Sequence, residues 1–447
     1  MPTTPLHSTE IHSLLRPRYV QRFRCIGAAC EDSCCAGWHV PIDERTFRAY
    51  TSGEAPATLR TQLAAVVQLE ATPRPQQHAR IALDAQTNAC PLLEDGWCAI
   101  QQDWGEGQLS HTCFSYPRYT RQWQGRMLQA LTLSCPEAAR LALLAPDAMA
   151  LETGTATVRT EAVQAITAPA SSTAAAAQAK EEMTLDALRA FALQLVRTPE
   201  RPLWQRLAVL GQWCQELTAQ LGRTATPLTA NVGHGSTRPT PTHPNARQRP
   251  APDLMAWQAG FTDPVQLDTL FSALEAVPVQ RQLQAQVWAA LWRRKSDRGL
   301  SPVQRQVIAA VEQGLGWAED GSEVHAATSA ARYADGLAQL PLALQTRAPH
   351  LLEHFVVNEL FRDVFPFQAS TPWAQYVQLV VQVGLLRWML AAQCSRATLP
   401  DTTALVRTVQ VLCQRFQHDA DFGPWMASAL RESALDTLPT LWVLLRD

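Results

Sequence analysis

The sequence predicts a mainly α-helical protein, in which an irregular, cysteine-rich N-terminal metal or cluster domain is followed by a helical C-terminal domain. Three observations support this fold class. Alanine and leucine are abundant and β-branched runs are few, which favours helices packed through small and aliphatic side chains. Eight of the eleven cysteines lie within the first 135 residues. Apolar residues recur at helical spacing through most of the chain after residue 200.

The 447 residues leave room for two or three domains. Residues 165–182 are rich in alanine and poor in large apolar side chains, which is typical of a linker that leads into a helix. A later segment rich in Thr, Pro and Asn has no periodicity and cannot bury much surface. We therefore predict a cysteine-rich cluster-binding domain at 1–145, a linker and helical segment at 146–222, a Pro/Thr-rich disordered linker at 223–252 and a helical domain at 253–447.

The cysteine-rich unit is expected to contain short elements and loops around the thiols. Residues 41–50 and Pro136–Leu144 have helical character. The dipeptide Asp95-Gly96, shortly before Cys98, predicts a tight turn. Short elements are expected where a metal or cluster supplies part of the folding energy.

Helical signals dominate the rest of the chain. Residues 203–221 carry apolar side chains at helical spacing, and Gly222 supplies a stop. Ser301 is a good N-cap, and Pro302 suits the first position of a helix that runs to about Gly314. The remaining predicted helices are 281–294, 350–361, 373–392, 402–417 and 435–445.

Charge and hydropathy exclude several classes of protein. The net charge of −2 gives no reason to expect nucleic-acid binding. The most apolar stretch, 377–392, contains Arg387 and is too short and polar to span a bilayer, so we expect no membrane partner. The first 20 residues carry Arg16 and Arg18 where the apolar part of a secretory signal would lie. The sequence thus predicts a cytoplasmic protein and leaves its oligomeric state open.

The clustered cysteines predict a metal or iron–sulfur site, because soft thiolates are the ligands that zinc and iron–sulfur clusters prefer. Four of them lie between residues 25 and 35. A disulfide framework is the competing interpretation, but it needs an oxidising compartment and is typical of shorter secreted chains. The spacing matches neither a zinc ribbon nor a three-cysteine radical loop, so zinc and iron–sulfur stay open, as do one site or two. The candidate ligands are Cys30, Cys34, Cys35, Cys25, Cys90, Cys98, Cys113 and Cys135.

Other motifs are less specific. His350, Glu353 and His354 formally match a zinc-peptidase pattern that places two imidazoles on one helix face, although the polar side of a core helix is the alternative. Arg118 follows Cys113 closely and either binds a carboxylate bidentately or forms an ordinary surface pair. No Gly-rich loop follows a strand, so the sequence lacks a dinucleotide or ordinary methyltransferase fingerprint.

Several blocks of sequence outside the two linkers form a recognisable set. They are residues 19–38 around the first four thiols, Cys90-Pro-Leu-Leu, Cys98-Ala-Ile-Gln, Leu109-Ser-His-Thr-Cys113 with Tyr116-Pro-Arg118, residues 133–140 and residues 351–363. This set resembles the flagellin lysine-N-methylase family. The resemblance implies a methyltransferase that moves methyl groups from S-adenosylmethionine to lysine side chains of flagellin. It also implies a [4Fe–4S] cluster held by the N-terminal cysteines, with zinc as the alternative.

A lysine ammonium is not a nucleophile until it loses a proton, so an enzyme of this kind needs a nearby carboxylate or a desolvated site. Asp103 is one carboxylate that can serve. The other candidate catalytic residues are Glu106, Arg118, Glu137, Glu353 and His354. A second interpretation is a zinc-stabilised binding module or chaperone for an exported protein. The third is a zinc peptidase built on His350, Glu353 and His354.

Overall fold

The computed structural model describes residues 5–37, 40–167, 175–222, 253–294, 300–318, 325–419 and 421–447. The predicted disordered linker at 223–252 lies outside the described residues, as do residues 168–174. Within the described residues the protein is mainly helical, which confirms the predicted fold class.

Short helices occupy the N-terminal part and long helices occupy the rest. The former are α1 (Arg18–Arg22), α2 (Glu44–Thr51), α3 (Ala57–Val66), α4 (Ala99–Asp103), α5 (His111–Ser115) and α6 (Pro136–Leu144). The latter are α7 (Ala175–Val196), α8 (Leu203–Gly222), α9 (Leu254–Thr262), α10 (Pro264–Ala273), α11 (Arg281–Arg293), α12 (Pro302–Leu315), α13 (Ala326–Arg347), α14 (Leu351–Arg362), α15 (Pro372–Cys394), α16 (Thr402–Leu412), α17 (Phe422–Glu432) and α18 (Leu438–Leu445).

Ten strands form three sheets in the N-terminal part. They are β1 (Thr9–Pro17), β2 (Val40–Ile42), β3 (Val67–Arg74), β4 (Gln77–Ile81), β5 (Leu93–Glu94), β6 (Trp97–Cys98), β7 (Arg118–Trp123), β8 (Arg126–Leu131), β9 (Leu151–Arg159) and β10 (Gln164–Ile166). The largest sheet has the order β10-β7-β8-β1-β9, a second has the order β2-β4-β3, and β5 pairs with β6. Strand β1 runs parallel to β8 and antiparallel to β9.

These sheets are the main departure from the sequence prediction, which expected only short elements and loops. Strand β1 pairs with β9 over nine residues, from Thr9 opposite Arg159 to Pro17 opposite Leu151. The partners are more than 130 residues apart in sequence, and neither strand alternates cleanly between apolar and polar residues. The pairing is therefore set by long-range contacts that a local pattern does not carry.

Most of the predicted helices form, with small shifts at their ends. Ser301 and Gln304 form the reciprocal capping box at the start of α12, with nitrogen–oxygen distances of 3.1 and 2.9 Å. Helix α2 begins at Glu44 because Asp43 caps it, accepting a hydrogen bond from the Thr46 amide at 2.9 Å. The helix predicted over 402–417 changes to π-helical geometry over Cys413–Gln417. The predicted linker 165–182 is partly wrong, since α7 already begins at Ala175.

Two hydrophobic cores stabilise the fold. The large core joins α1, β8 and α6 to the long helices, with Trp288, Trp292 and Trp388 among its fully buried side chains. The small core lies among β2, β4 and the helices α2, α3 and α4, and cysteines pack into it. The domain boundaries remain a prediction, because shared packing does not fix where a chain divides.

Helix α15 is the central helix of the large core. It packs against α8, α12 and α13. It agrees closely with the predicted helix 373–392. It is the one described helix long and apolar enough to cross a membrane, but 89% of its most apolar 18-residue window is buried inside the protein. Such burial is what a core helix of this length shows.

Candidate functional site

All eight N-terminal cysteines line a single cavity of about 370 Å³, which we call the thiol cavity. The eleven cysteines all lie within the described residues, and the structure pairs none of them in a disulfide. The three cysteines outside this region, Cys214, Cys394 and Cys413, are buried in helices of the large core. The structure thus brings together the predicted ligands, although their role as ligands stays a prediction.

Tight turns and strand pairing position the thiols. A 3-10 turn, Gly27–Ala29, separates Cys25 from Cys30, whose amide donates to the Gly27 carbonyl at 2.9 Å. The predicted turn at Asp95-Gly96 forms, with φ values of 48° and 80°, and pairs Leu93 with Cys98. These two φ values lie in the left-handed region, which the Asp-Gly pair tolerates at low cost.

Helix termini position Cys113 and Cys135. The Ser110 hydroxyl accepts a hydrogen bond from the Cys113 amide at 3.3 Å and so caps the short helix α5. Cys135 is the N-cap residue of α6, and Pro136 occupies the first helical position. The predicted α6 therefore carries its cysteine at the end that faces the thiol cavity.

The long helices hold the thiol loop in place. The buried carboxylate of Asp32 accepts hydrogen bonds from Gln410 at 2.5 Å and from Gln414 at 2.9 Å. Gln414 also donates to the Ser134 carbonyl at 3.2 Å, and His418 contacts the Ser134 hydroxyl at 2.8 Å. Loop 30–35 and the residue before Cys135 thus share supports on α16 and the π-helical segment that follows it.

Burial keeps most of these thiols protonated in the protein alone. It raises the pKa of Cys90 to about 11 and those of Cys113 and Cys135 to about 12. The hydrogen bond between adjacent Cys34 and Cys35 raises the pKa of Cys34 and lowers that of Cys35 to about 7. A bound cation would stabilise the thiolate form and so offset the free-energy cost of burying negative charge. The cavity therefore suits a metal ion bound by thiolates.

The spacing of the thiols indicates the kind of metal that fits. Sulfurs around one tetrahedral zinc lie about 3.8 Å apart, given Zn–S bonds of about 2.3 Å. No three of the eight sulfurs, all of them within the described residues, lie within 4.8 Å of one another. In an iron–sulfur cluster each thiolate binds a different iron, which requires wider spacing. The donor set therefore fits a cluster better than a single zinc ion.

Three of the predicted catalytic residues, Glu106, Arg118 and Glu137, also line the thiol cavity. The Arg118 guanidinium lies 5.3 Å from the centre of the Phe23 ring. Burial lowers the pKa of Arg118 and nearby Glu106 raises it, and the arginine remains charged. Glu137 is already paired with Arg140, which leaves Glu106 as the carboxylate better placed to act on a ligand.

A second cavity of about 950 Å³ adjoins the first, and we call it the trough. Polar residues of β1 and β9 form much of its wall, including Arg16, whose Nε lies 3.4 Å from a Glu152 oxygen. The two cavities share five lining residues: Phe23, Arg24, Glu106, Phe114 and Arg118. The polar trough therefore adjoins a mainly apolar cavity that contains the thiols.

Glu353 and His354 do not line either cavity. Glu353 accepts a hydrogen bond from Arg206 at 2.8 Å, and the buried His354 contacts the Ala142 carbonyl at 2.9 Å. Burial lowers the pKa of His354. These contacts explain the two side chains as part of helix packing and remove the support for a peptidase site with His350.

Sequence reasoning missed a compact group made of His7, Asp43 and His111. Within the described residues these are the three side chains whose possible ligand atoms all lie within 4.8 Å of one another. Thr46 explains their arrangement, because its hydroxyl donates to Asp43 at 2.7 Å and contacts His7 at 3.0 Å. The group is a cap of α2 that binds the N-terminal segment, and no sequence motif signals it.

A buried ionic network on α14 was also missed. Glu359 and Arg362 are fully buried and form two hydrogen bonds of 2.7 and 3.0 Å. Asp363 binds the same arginine at 2.7 Å, and Gln417 of the π-helical segment donates to Glu359 at 2.7 Å. The block 351–363 contains the three charged residues, whose pairing is local to the end of α14, whereas the contact with Gln417 depends on a π-helical segment that sequence periodicity does not reveal.

Comparison with known proteins adds evidence independent of this geometry. Residues 189–444 match the sequence model described as the FliB lysine N-methylase C-terminal domain. A Lysine-N-methylase of Salmonella typhimurium is 36% identical over 141 residues, which are 31% of this chain and 34% of that protein. The Flagellar biosynthetic protein FliU of Salmonella muenchen is also 36% identical over 141 residues, which cover 82% of its length. The Lysine-N-methylase of Salmonella choleraesuis is 34% identical over a match that again covers about a third of its length, 34%. No solved structure matches the chain.

Proposed function

The chain belongs to the FliB lysine N-methylase family, and we propose that it transfers methyl groups from S-adenosylmethionine to lysine side chains of flagellin in the cytoplasm. The family match covers more than half of the chain, at residues 189–444. The name of one relative, Flagellar biosynthetic protein FliU, supports a flagellar substrate. The observation that carries the proposal is the thiol cavity itself, which opens directly into a polar trough large enough for a donor and a lysine side chain.

A [4Fe–4S] cluster would be held by thiols at the junction of the two cavities. Cys25, Cys30 and Cys135 interact with one another electrostatically, and Cys34 interacts with Cys135. Arg118 lines both cavities and interacts electrostatically with Cys25 and Cys135, which supports a cluster close to the trough. When bound, the cluster would supply Lewis-acidic iron at this end of the trough.

Arg118 suits the donor's carboxylate. Its guanidinium is buried against Phe23 and lines both cavities, so it can form two parallel charge-assisted hydrogen bonds with little loss of side-chain entropy. A fixed carboxylate restrains the donor, and its methyl group can then lie in line with an incoming amine at about 3–3.5 Å, the distance of a reactive pose.

Glu106 is the carboxylate best placed to take a proton from the lysine. The ammonium group has an ordinary pKa of about 10.4, and it must lose one proton before it attacks. The amine nitrogen then forms a bond to the methyl carbon while the carbon–sulfur bond breaks, and the sulfur keeps the electron pair. The positive charge moves from sulfur to nitrogen, and the released proton goes to the Glu106 carboxylate and then to water.

The test is a methylation assay on the full chain purified without oxygen. We expect flagellin lysines to gain methyl groups from a deuterated donor, detected by mass spectrometry of digested flagellin. Glu106→Gln should lower kcat by about 10²–10⁴, the usual contribution of a general base. Glu353→Gln is the matched control and should leave kcat unchanged, because Glu353 pairs with Arg206 outside both cavities.

Two outcomes would contradict the proposal. If Glu106→Gln and Glu353→Gln lowered kcat equally, Glu106 would not be the general base of the reaction. Tight binding of flagellin without any methyl gain would favour the alternative function, a zinc-stabilised binding module or chaperone for an exported protein. Zinc in place of iron and sulfide in the same preparation would favour that alternative further.

A further inference from the structure

Four of the eight thiols contact the small core. Cys90 belongs to it, and Cys35, Cys98 and Cys113 pack against it. We call these four the inner set. Cys135 belongs instead to the large core. We group Cys135 with Cys25, Cys30 and Cys34 as the outer set, and a hydrogen bond between Cys34 and Cys35 joins the two sets.

Backbone hydrogen bonds tie the inner set together across three segments of chain. The Cys90 amide donates to the Cys35 carbonyl at 2.6 Å, beside a β-bridge between Ala36 and Ala89. The β5–β6 hairpin then returns Cys98 to the same place, and the Leu93 amide donates to the Cys90 carbonyl at 3.0 Å. The thiols are therefore positioned by the main chain and do not depend on flexible loops.

The four inner thiols lie in one place. All four line the thiol cavity, and each lies in or packs against the small core. Cys113 reaches this place from α5, which Ser110 caps.

The inner thiols complete a small core that is made of distant segments. Its buried apolar side chains come mainly from β2, α2, α3, β4 and α4. The thiols enter this core from the loop at Cys35, from the segment of the β5–β6 hairpin and from α5. A metal bound by all four would therefore join these segments and contribute to their folding.

We propose that Cys35, Cys90, Cys98 and Cys113 form a second metal site, separate from the cluster site of the outer set. The site binds a thiophilic metal. No three of its sulfurs lie within 4.8 Å of one another, which favours iron in a cluster over a single zinc ion. This site folds the small core and fixes Cys34 through its neighbour Cys35. This second site rests on the proposed function and deepens it, because it leaves only the outer set of thiols to hold the proposed cluster.

Metal analysis of the full chain purified without oxygen tests the division. We expect about eight irons and eight acid-labile sulfides per chain, twice the content of one [4Fe–4S] cluster. Cys90→Ser combined with Cys98→Ser should remove about half of the iron, while Cys25→Ser combined with Cys30→Ser should remove the other half. Cys394→Ala, a buried thiol of α15 outside the thiol cavity, is the control and should remove none. About four irons plus one zinc, with the zinc lost only in the inner variant, would also support a second site.

About four irons without zinc, unaffected by the inner variant, would overturn the second site. A second measurement covers an inner variant that fails to fold. Native wild-type protein is alkylated before and after metal chelation, and the modified cysteines are mapped by mass spectrometry. We expect the inner thiols to react only after chelation, and equal labelling before and after would overturn the proposal. Loss of methyl transfer with both metal contents intact would instead contradict the proposed function alone.

Discussion

Replacing Tyr19 with phenylalanine should destabilise the protein strongly, because its hydroxyl joins the N-terminal segment to the helical part. Tyr19 is fully buried. Its hydroxyl donates to the Asn358 side-chain oxygen at 2.5 Å and accepts from the Leu131 amide at 2.9 Å. The Asn358 amide group in turn donates to the Leu131 carbonyl at 3.2 Å. One hydroxyl therefore connects α1, β8 and α14.

The magnitude follows from what the substitution leaves behind. Phenylalanine keeps the ring and its packing, so no cavity forms. It leaves two buried groups, the Leu131 N–H and the Asn358 carbonyl oxygen, without this partner. Each such group costs about 1–3 kcal/mol, so Tyr19→Phe should lower the free energy of unfolding by about 2–6 kcal/mol.

Tyr376 provides a matched control. It is also fully buried, but its hydroxyl has no hydrogen-bond partner among the described residues. Tyr376→Phe removes a polar group that is desolvated without compensation, so it should be neutral or should stabilise the protein by about 1 kcal/mol. The two variants make the same chemical change and should move stability in different directions.

Urea unfolding of the metal-loaded protein, followed by fluorescence of the 14 tryptophans, measures both effects. The reasoning predicts a gap of at least about 2 kcal/mol between the two variants. Equal changes would show that the Tyr19 hydroxyl contributes no more than an unpaired one, and the proposed connection between the two parts of the chain would be wrong.

Three further predictions concern the site and its supports. Gly96→Ala should lower metal content and stability more than Gly125→Ala. Both glycines have positive φ, but a Cβ at Gly96 would lie 2.7 Å from the Ala28 backbone, whereas one at Gly125 would have no atom within 4 Å. Gly125→Ala is therefore the control, and it should show only the backbone strain of about 1 kcal/mol. Burial lowers the pKa of His418 to about 4. As pH falls, the His418 imidazole is protonated in the unfolded chain before it is protonated in the folded protein, so the free energy of unfolding should fall by about 3 kcal/mol between pH of about 6.5 and 4. A free energy of unfolding of the wild-type protein that stays constant over this pH range would contradict the prediction. Arg118→Lys should weaken donor binding roughly 10- to 100-fold in calorimetry while metal content stays constant, and unchanged affinity would remove Arg118 from the donor site.

The helical part of the fold was largely predictable from local signals. The capping box at Ser301 and the turn at Asp95-Gly96 both form where their residues indicate. Such signals succeed because a cap or a turn depends on groups within a few residues of each other. The five-stranded sheet was missed for the opposite reason, since β1 finds its partners more than 100 residues away.

The candidate site was predictable as a list of residues but not as an arrangement. The sequence identified the eight thiols, and it named Glu106, Arg118 and Glu137, which line the thiol cavity. It gave equal weight to Glu353 and His354, which helix packing and an ion pair with Arg206 explain. Residue type and spacing indicate which side chains can bind a metal or transfer a proton. They do not indicate which of those side chains line the same cavity.

By itself the sequence determined the helical fold class, the number of soft ligands and the resemblance to a lysine methylase, because these depend on composition and on short-range pattern. Only the tertiary structure decided that all eight N-terminal thiols line one cavity and that a trough adjoins it. The physical reason is that these thiols are separated by up to about 110 residues of chain. Loops of that length close when apolar surfaces from distant segments are buried against each other, and no single local segment carries that information.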